Sequence, residues 1–166
     1  MQILFTKNST VLSKTIRDLT NEPVSHTVLL FDFKGVEFVI HVNLLGLRID
    51  EYDSFLKTNQ IVCRLEPQLD SYLQNMKDND RLKTVLKQYK KVFYDLGALL
   101  FAGSCLLMRR WFKIPLPKSN LWQMSGMLLC TEWIQSFIDI PLNAMITPYQ
   151  LYLELKKSAK WFDVRV

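Results

Sequence analysis

Two β-favouring runs face each other across a four-residue break. Ser25–His26–Thr27–Val28–Leu29–Leu30–Phe31 leads into Asp32–Phe33–Lys34–Gly35, and Val36–Glu37–Phe38–Val39–Ile40–His41–Val42 follows. Runs this rich in β-branched and aromatic residues favour strands. A glycine-bearing break of this length reads as a hairpin turn. A hairpin constrains the chain more than any other local feature, because it brings residues distant in sequence to about 5 Å across the ladder. With the turn centred on Lys34–Gly35, the two histidines of the chain, His26 and His41, fall on adjoining strands as near neighbours. In a neutral pair one ring donates and the other accepts, so His41 is placed to fix the tautomer of His26. Two unrelated strand histidines would produce the same pattern, and a lone histidine at a strand start is more often structural than catalytic.

The flanking segments extend this frame. Residues 2–6 alternate weakly, as a short strand would. Asn8–Ser9–Thr10 offers a cap to a helix over about 9–20, with Val11, Leu12, Ile16 and Leu19 at helical spacing. Asn21–Glu22–Pro23 stops it. Leu44–Ile49 reads as a turn and third strand, Asp50–Leu56 as a helical turn, and Gln60–Leu65 as a fourth strand with Cys63 on its apolar side. From Gln68 two amphipathic helices are expected, through Leu69, Tyr72, Leu73 and Met76 and then Leu82, Val85, Leu86, Tyr89 and Phe93. Lys83, Lys87, Lys90 and Lys91 fit a solvated face or a contact with an acidic partner. Arg109–Arg110–Trp111–Phe112–Lys113 mixes cations with aromatics, as a basic helix end or a stacking surface does. The apolar run Leu96 to Met108 is shorter than the roughly 20 residues of a membrane span and reads as a buried helix. After the loop Pro115–Asn120 comes a helical stripe of Leu128, Trp133, Phe137 and Ile138, ended by Pro141. Thr147–Pro148 opens a last short helix, and Trp161–Val166 closes the chain as a strand.

Strands first and helices later make an α+β chain. Its 166 residues suit one domain. Hydrophobic residues at 49% and charged residues at 22% exclude a disordered chain. The net charge of +5 favours acidic partners, such as anionic wall polymers, lipid head groups or nucleic acid. No Lys/Arg run argues for a nucleic-acid tail. Cys63, Cys105 and Cys130 lack CxxC spacing, and two histidines do not complete a zinc set, so neither a metal nor a cofactor is expected. Met1–Phe5 lacks the features of a signal peptide. Three cysteines cannot all pair within one chain, which fits a reducing compartment or a free functional thiol better than a disulfide scaffold.

Cys130 is the thiol with a position worth noting. In Met127–Leu128–Leu129–Cys130–Thr131–Glu132–Trp133 a helix starting near Leu129 or Cys130 puts the sulfur in its first turn. Free backbone N–H groups and the helix dipole there stabilise a thiolate and an oxyanion. A buried helix cysteine is the commoner outcome.

The order of these pieces carries a resemblance. The Ser25–His26 strand, the Val39–Ile40–His41 strand, Gly46–Leu47–Arg48–Ile49, Tyr94–Asp95, Leu129–Cys130–Thr131–Glu132 and Thr147–Pro148 follow one another. This order resembles the circularly permuted branch of the NlpC-type papain-like cysteine hydrolases, which includes YiiX-like and YaeF-like proteins and relatives of lecithin:retinol acyltransferase. It spans about Leu12 to Leu155. The resemblance implies a permuted papain-like fold over 1–166, an antiparallel sheet packed on helices, with the nucleophile helix after the histidine strands. It implies Cys130 as nucleophile, His26 as base and His41 as orienting residue, with Ser25, Tyr94 and Thr131 contacting substrate. Thr131 departs from the serine that usually follows the cysteine. The implied substrates are cell-wall peptides first and acyl lipids second, in a cytoplasmic or virion-associated setting such as a bacteriophage particle. A non-catalytic virion or binding protein of the same fold is the reading from a different class.

Overall fold

A computed structural model describes residues 1–68, 80, 83–84, 87, 93–94, 96–113, 127–128, 130–138, 146–158 and 160–164. The α+β expectation is met. Strand β1 (Gln2–Asn8) runs through the middle of a six-stranded antiparallel sheet. Its neighbours are β2 (His26–Phe33) on one side and β5 (Asn59–Pro67) on the other. Beyond β2 lie β3 (Val36–Asn43) and β4 (Gly46–Glu51), and beyond β5 lies β8 (Trp161–Val164). A two-stranded parallel pair, β6 (Phe93–Tyr94) with β7 (Met127–Leu128), forms a second sheet, with β6 against β3 and β4. The alternation of β1 is faint because Ile3, Leu4 and Phe5 are all fully buried, so both faces of the strand are covered.

The turns and caps follow their residues. Lys34 (φ 57°) and Gly35 (φ 80°) take the left-handed pair of dihedrals of a two-residue hairpin turn, and the Gly35 N–H donates to Asp32 Oδ1. Helix α1 (Val11–Thr20) is capped by Thr10, whose hydroxyl accepts from the Ser13 N–H, and ends at Asn21 in the left-handed conformation. Helix α2 (Tyr52–Leu56) follows β4 directly, so Asp50 and Glu51, expected in the helical turn, complete the strand instead. Helix α3 is Leu96–Phe112, α4 is Cys130–Ile138 and α5 is Pro148–Lys157. Thr147 and Gln150 form a reciprocal capping box at the start of α5, with Pro148 in its first turn.

Strand alternation sorts the core onto two faces. Ile3, Phe5, Leu29, Phe31, Ile40 and Val42 face α4 and α5, where Trp133, Ile134, Leu151 and Leu155 are buried against them. Leu4, Val28, Leu30 and Val39 face the other way and pack on Phe55 of α2. At about 25 cal/mol per Å² of buried apolar surface, the helix face with its larger cluster carries most of the stabilisation.

Several expectations change. Val11 is exposed, while Ser13 is the buried residue of α1. Leu128 belongs to β7, because α4 begins only at Cys130. Helix α3 is not a buried helix along its length: Leu100, Met108, Trp111 and Phe112 are exposed. Cys63 is half-buried against the edge of the core. Nearly all of 69–92, with the two amphipathic helices expected there, lies outside the described residues, as do the loop at 115–120 and Pro141.

Candidate functional site

The site is built where β2 begins. Ser25 ties that point to the rest of the fold. Its N–H donates to the Thr6 carbonyl at 3.0 Å. Its hydroxyl lies 2.6 Å from that of Ser13, which also accepts from the Asn8 N–H. Helix α1, β1 and β2 are thereby locked together, and His26 is the next residue.

His26 and His41 meet as the hairpin predicts. His26 Nε2 lies 3.0 Å from His41 Nδ1, with the rings edge to face. Strand parity explains the contact. The pairing of Leu29 with Ile40 and Leu30 with Val39 puts His41 on the same face as Val39, and His26 on the same face as Val28. Phe55 closes the far side of His41 with ring centroids 5.4 Å apart.

The chain of rings has a third member that the sequence reading missed. Asp50 Oδ2 lies 2.9 Å from His41 Nε2. Asp50 pairs with Val39 across the β3–β4 ladder, so its carboxylate stands on the same face as His41, one step along. Continuing the strand of Gly46–Ile49 by two residues would have found it.

Cys130 opens α4, as expected, and is buried. The backbone N–H groups of Thr27, Thr131 and Cys130 itself act to lower the pKa of its thiol. Thr27 follows His26 in β2, which brings the thiol within one residue of the imidazole along the strand. The two nevertheless approach from different sides. Helix α4 packs on the face of Leu29 and Ile40, whereas the rings stand on the face of Val28 and Val39. The groups acting on the sulfur are burial, the three N–H groups and Glu132, and neither imidazole is among them. Thr131 is buried and contributes its backbone N–H. Tyr94 has its backbone in β6, and its side chain lies outside the described residues.

Electrostatics keep the Cys130 thiol and both imidazoles neutral at rest. Burial pushes the Cys130 thiol up to about 11, overriding the N–H groups that pull it down. The thiolate expected from the helix start is therefore not the resting form. Burial, and then the neighbouring His41, takes His26 down to about 3. Burial lowers His41 too; the Asp50 carboxylate opposes this and the Arg48 cation adds to it.

A cavity of about 600 Å³ lies against the rings on the outer face. That volume suits a small ligand. Ser13, Ser25 and His41 are its buried floor, and Leu44 and Leu45, both exposed in the β3–β4 turn, stand at its rim. Among the described residues lining it there is no lysine or arginine, so the positive charge of the chain is not gathered here. Cys130 is not among those residues either. No group of His, Cys, Asp and Glu among the described residues could hold a metal ion. No helix among them is long and apolar enough to cross a membrane.

The chain matches no protein-family model, and a comparison with curated proteins finds no match.

Proposed function

We propose that the protein is a thiol-dependent hydrolase of the permuted papain-like kind, with Cys130 as nucleophile, His26 as base and His41 as orienting residue. The observation that carries this reading is the hydrogen-bonded His26–His41 pair at the start of β2, with Cys130 opening a helix packed on that same strand. A nucleophile at a helix start and a base held by another polar group are the parts that covalent catalysis uses; the reading requires Cys130 and His26, which rest on opposite faces of β2, to meet at the strand start for proton transfer and attack.

With both groups neutral at rest, proton transfer and attack go together. The Cys130 S–H proton passes to His26 as the sulfur bonds to the carbonyl carbon. The carbonyl oxygen takes the electron pair and is held by N–H groups at the start of α4. The intermediate then collapses: the bond from the carbonyl carbon to the leaving nitrogen, oxygen or sulfur breaks, and that atom takes the proton from His26. Water, or an acceptor in a transferase, resolves the thioester. A wall-peptide amide is the first substrate and an acyl-lipid ester or thioester the second.

The test is alkylation by iodoacetamide across pH with the modified site mapped. Cys130 reacting faster than Cys63 and Cys105 near neutral pH, and slowing in His26→Ala, supports the reading. Cys130 reacting no faster than the other two overturns it. Zymography on peptidoglycan beside an acyl-thioester assay then separates the two substrates. A second reading, a binding protein that keeps the fold without turnover, is favoured by the burial of the sulfur and its raised pKa. It predicts a folded protein with no covalent adduct from an activated ester.

A further inference from the structure

We propose that Asp50 is a positioning residue that sets, through His41, which nitrogen of His26 is free to act as a base. The inference rests on His26 being that base, but its first test requires no turnover. An ionised carboxylate has no proton to give, so in the contact at 2.9 Å the His41 Nε2–H donates to Asp50 Oδ2. A neutral imidazole carries one N–H, which leaves His41 Nδ1 as a bare acceptor. The only partner at Nδ1 that satisfies the 3.0 Å contact is then a donating His26 Nε2–H. His26 in turn has its lone pair on Nδ1, the atom that can take a proton. Each link dictates the next, and the whole order is set at Asp50.

The geometry supports an anchor rather than a chance surface contact. His41 is buried, and it is held between the Asp50 carboxylate and the ring of Phe55. Asp50 reaches it from the register-fixed β3–β4 ladder, not from a mobile side chain across a loop. Arg48, directly opposite His41 in that ladder, is the other charged group acting on the ring, and it disfavours a cationic His41. A cationic His41 would carry a proton on both nitrogens: its Nε2–H would still donate to Asp50, but its Nδ1–H would donate to His26 Nε2 and reverse the second link. Replacing Asp50 by asparagine has the same consequence. The amide offers His41 Nε2 either an oxygen or an N–H, so both directions of the chain become available.

The experiment is long-range ¹H–¹⁵N correlation on histidine-labelled protein at pH 7.5, which distinguishes Nε2–H from Nδ1–H tautomers. The wild type is expected to show both rings as Nε2–H. Asp50→Asn and Asp50→Ala are expected to move a measurable share of His26 to Nδ1–H, with the backbone spectrum of a folded protein retained. The rate of Cys130 alkylation should fall in Asp50→Asn in proportion to the share of His26 that changes tautomer, reaching roughly a hundredfold only where the whole population changes, and its pH profile should change shape. The proposal is overturned if wild-type His26 is an Nδ1–H tautomer, or if both variants leave the two rings unchanged. If instead His26→Ala leaves Cys130 alkylation unaltered while the tautomers respond to Asp50, the hydrolase reading fails and the role of Asp50 stands.

Discussion

The two faces of the sheet at the start of β2 and the end of β3 differ although the same strands build both. Toward α4 and α5, Leu29, Phe31, Ile40 and Val42 meet Trp133, Ile134, Leu151 and Leu155 in a closed apolar core. Toward α2, Val28, Leu30 and Val39 make a smaller cluster that gives way to His26, His41, Asp50 and a cavity. One face holds the fold together and the other holds the polar chemistry. Polar groups concentrate where hydrocarbon coverage stops, since a buried imidazole needs hydrogen-bond partners that an apolar core does not supply. The sulfur belongs to a helix of the closed face and reaches the strand at a backbone N–H.

The largest expected effect separates chemistry from packing. Cys130→Ala and His26→Ala each lower hydrolysis by several powers of ten, measured as turnover, with a cooperative unfolding transition retained. Equal loss of activity and of folding would blur the two faces into one. Next come the cores themselves. Trp133→Ala, from the closed face, costs about 4 kcal/mol in urea unfolding, and Phe55→Ala, which borders the cavity, costs about 3 kcal/mol or less because the vacated space joins an existing one. A larger loss at Phe55 would reverse the ranking of the faces.

Acid should strike the outer face. His26 is lowered to about 3 and His41 is also lowered, so the unfolded chain, with histidine near 6.5, binds protons first as pH falls. Stability is therefore whole above pH 6.5 and declines below it, by up to about 1.4 kcal/mol per pH unit for His26 until its folded pKa is reached. Urea midpoints from pH 7 to 4 measure this, and Cys130→Ala should follow the same curve. A flat profile would mean that the rings are not buried as neutral groups.

Smaller effects test the edges of the comparison. Leu45→Lys, at the cavity rim, should leave stability within about 0.5 kcal/mol while raising KM for a substrate that enters there. The Thr27 hydroxyl is buried on the closed face with no hydrogen-bond partner, so Thr27→Val should be neutral or stabilising by up to about 1 kcal/mol.

Local chemistry was readable in the chain. The Lys34–Gly35 turn, the Thr10 and Thr147 caps and the stop at Asn21 each depend on one or two residues whose backbone preference is strong. The meeting of His26 and His41 followed from turn position alone. Asp50 did not, because its role depends on β4 continuing two residues past the point where its composition turns polar. The exposure of Leu100, Trp111 and Phe112 was equally hidden: a continuous apolar run does not say which of its sides finds a partner.

The amino-acid sequence by itself determined the hairpin, the capped helices and the placing of Cys130 at a helix start, since each is enforced by dihedral preference or capping within a few residues. Only the tertiary structure decided that the thiol lies neutral and buried at the Thr27 N–H, that Asp50 completes the imidazole pair, and that one sheet face closes while the other opens to a cavity. Those outcomes depend on strand register and on which helix covers which face. Both are set by packing between segments far apart in the chain, where no local preference operates.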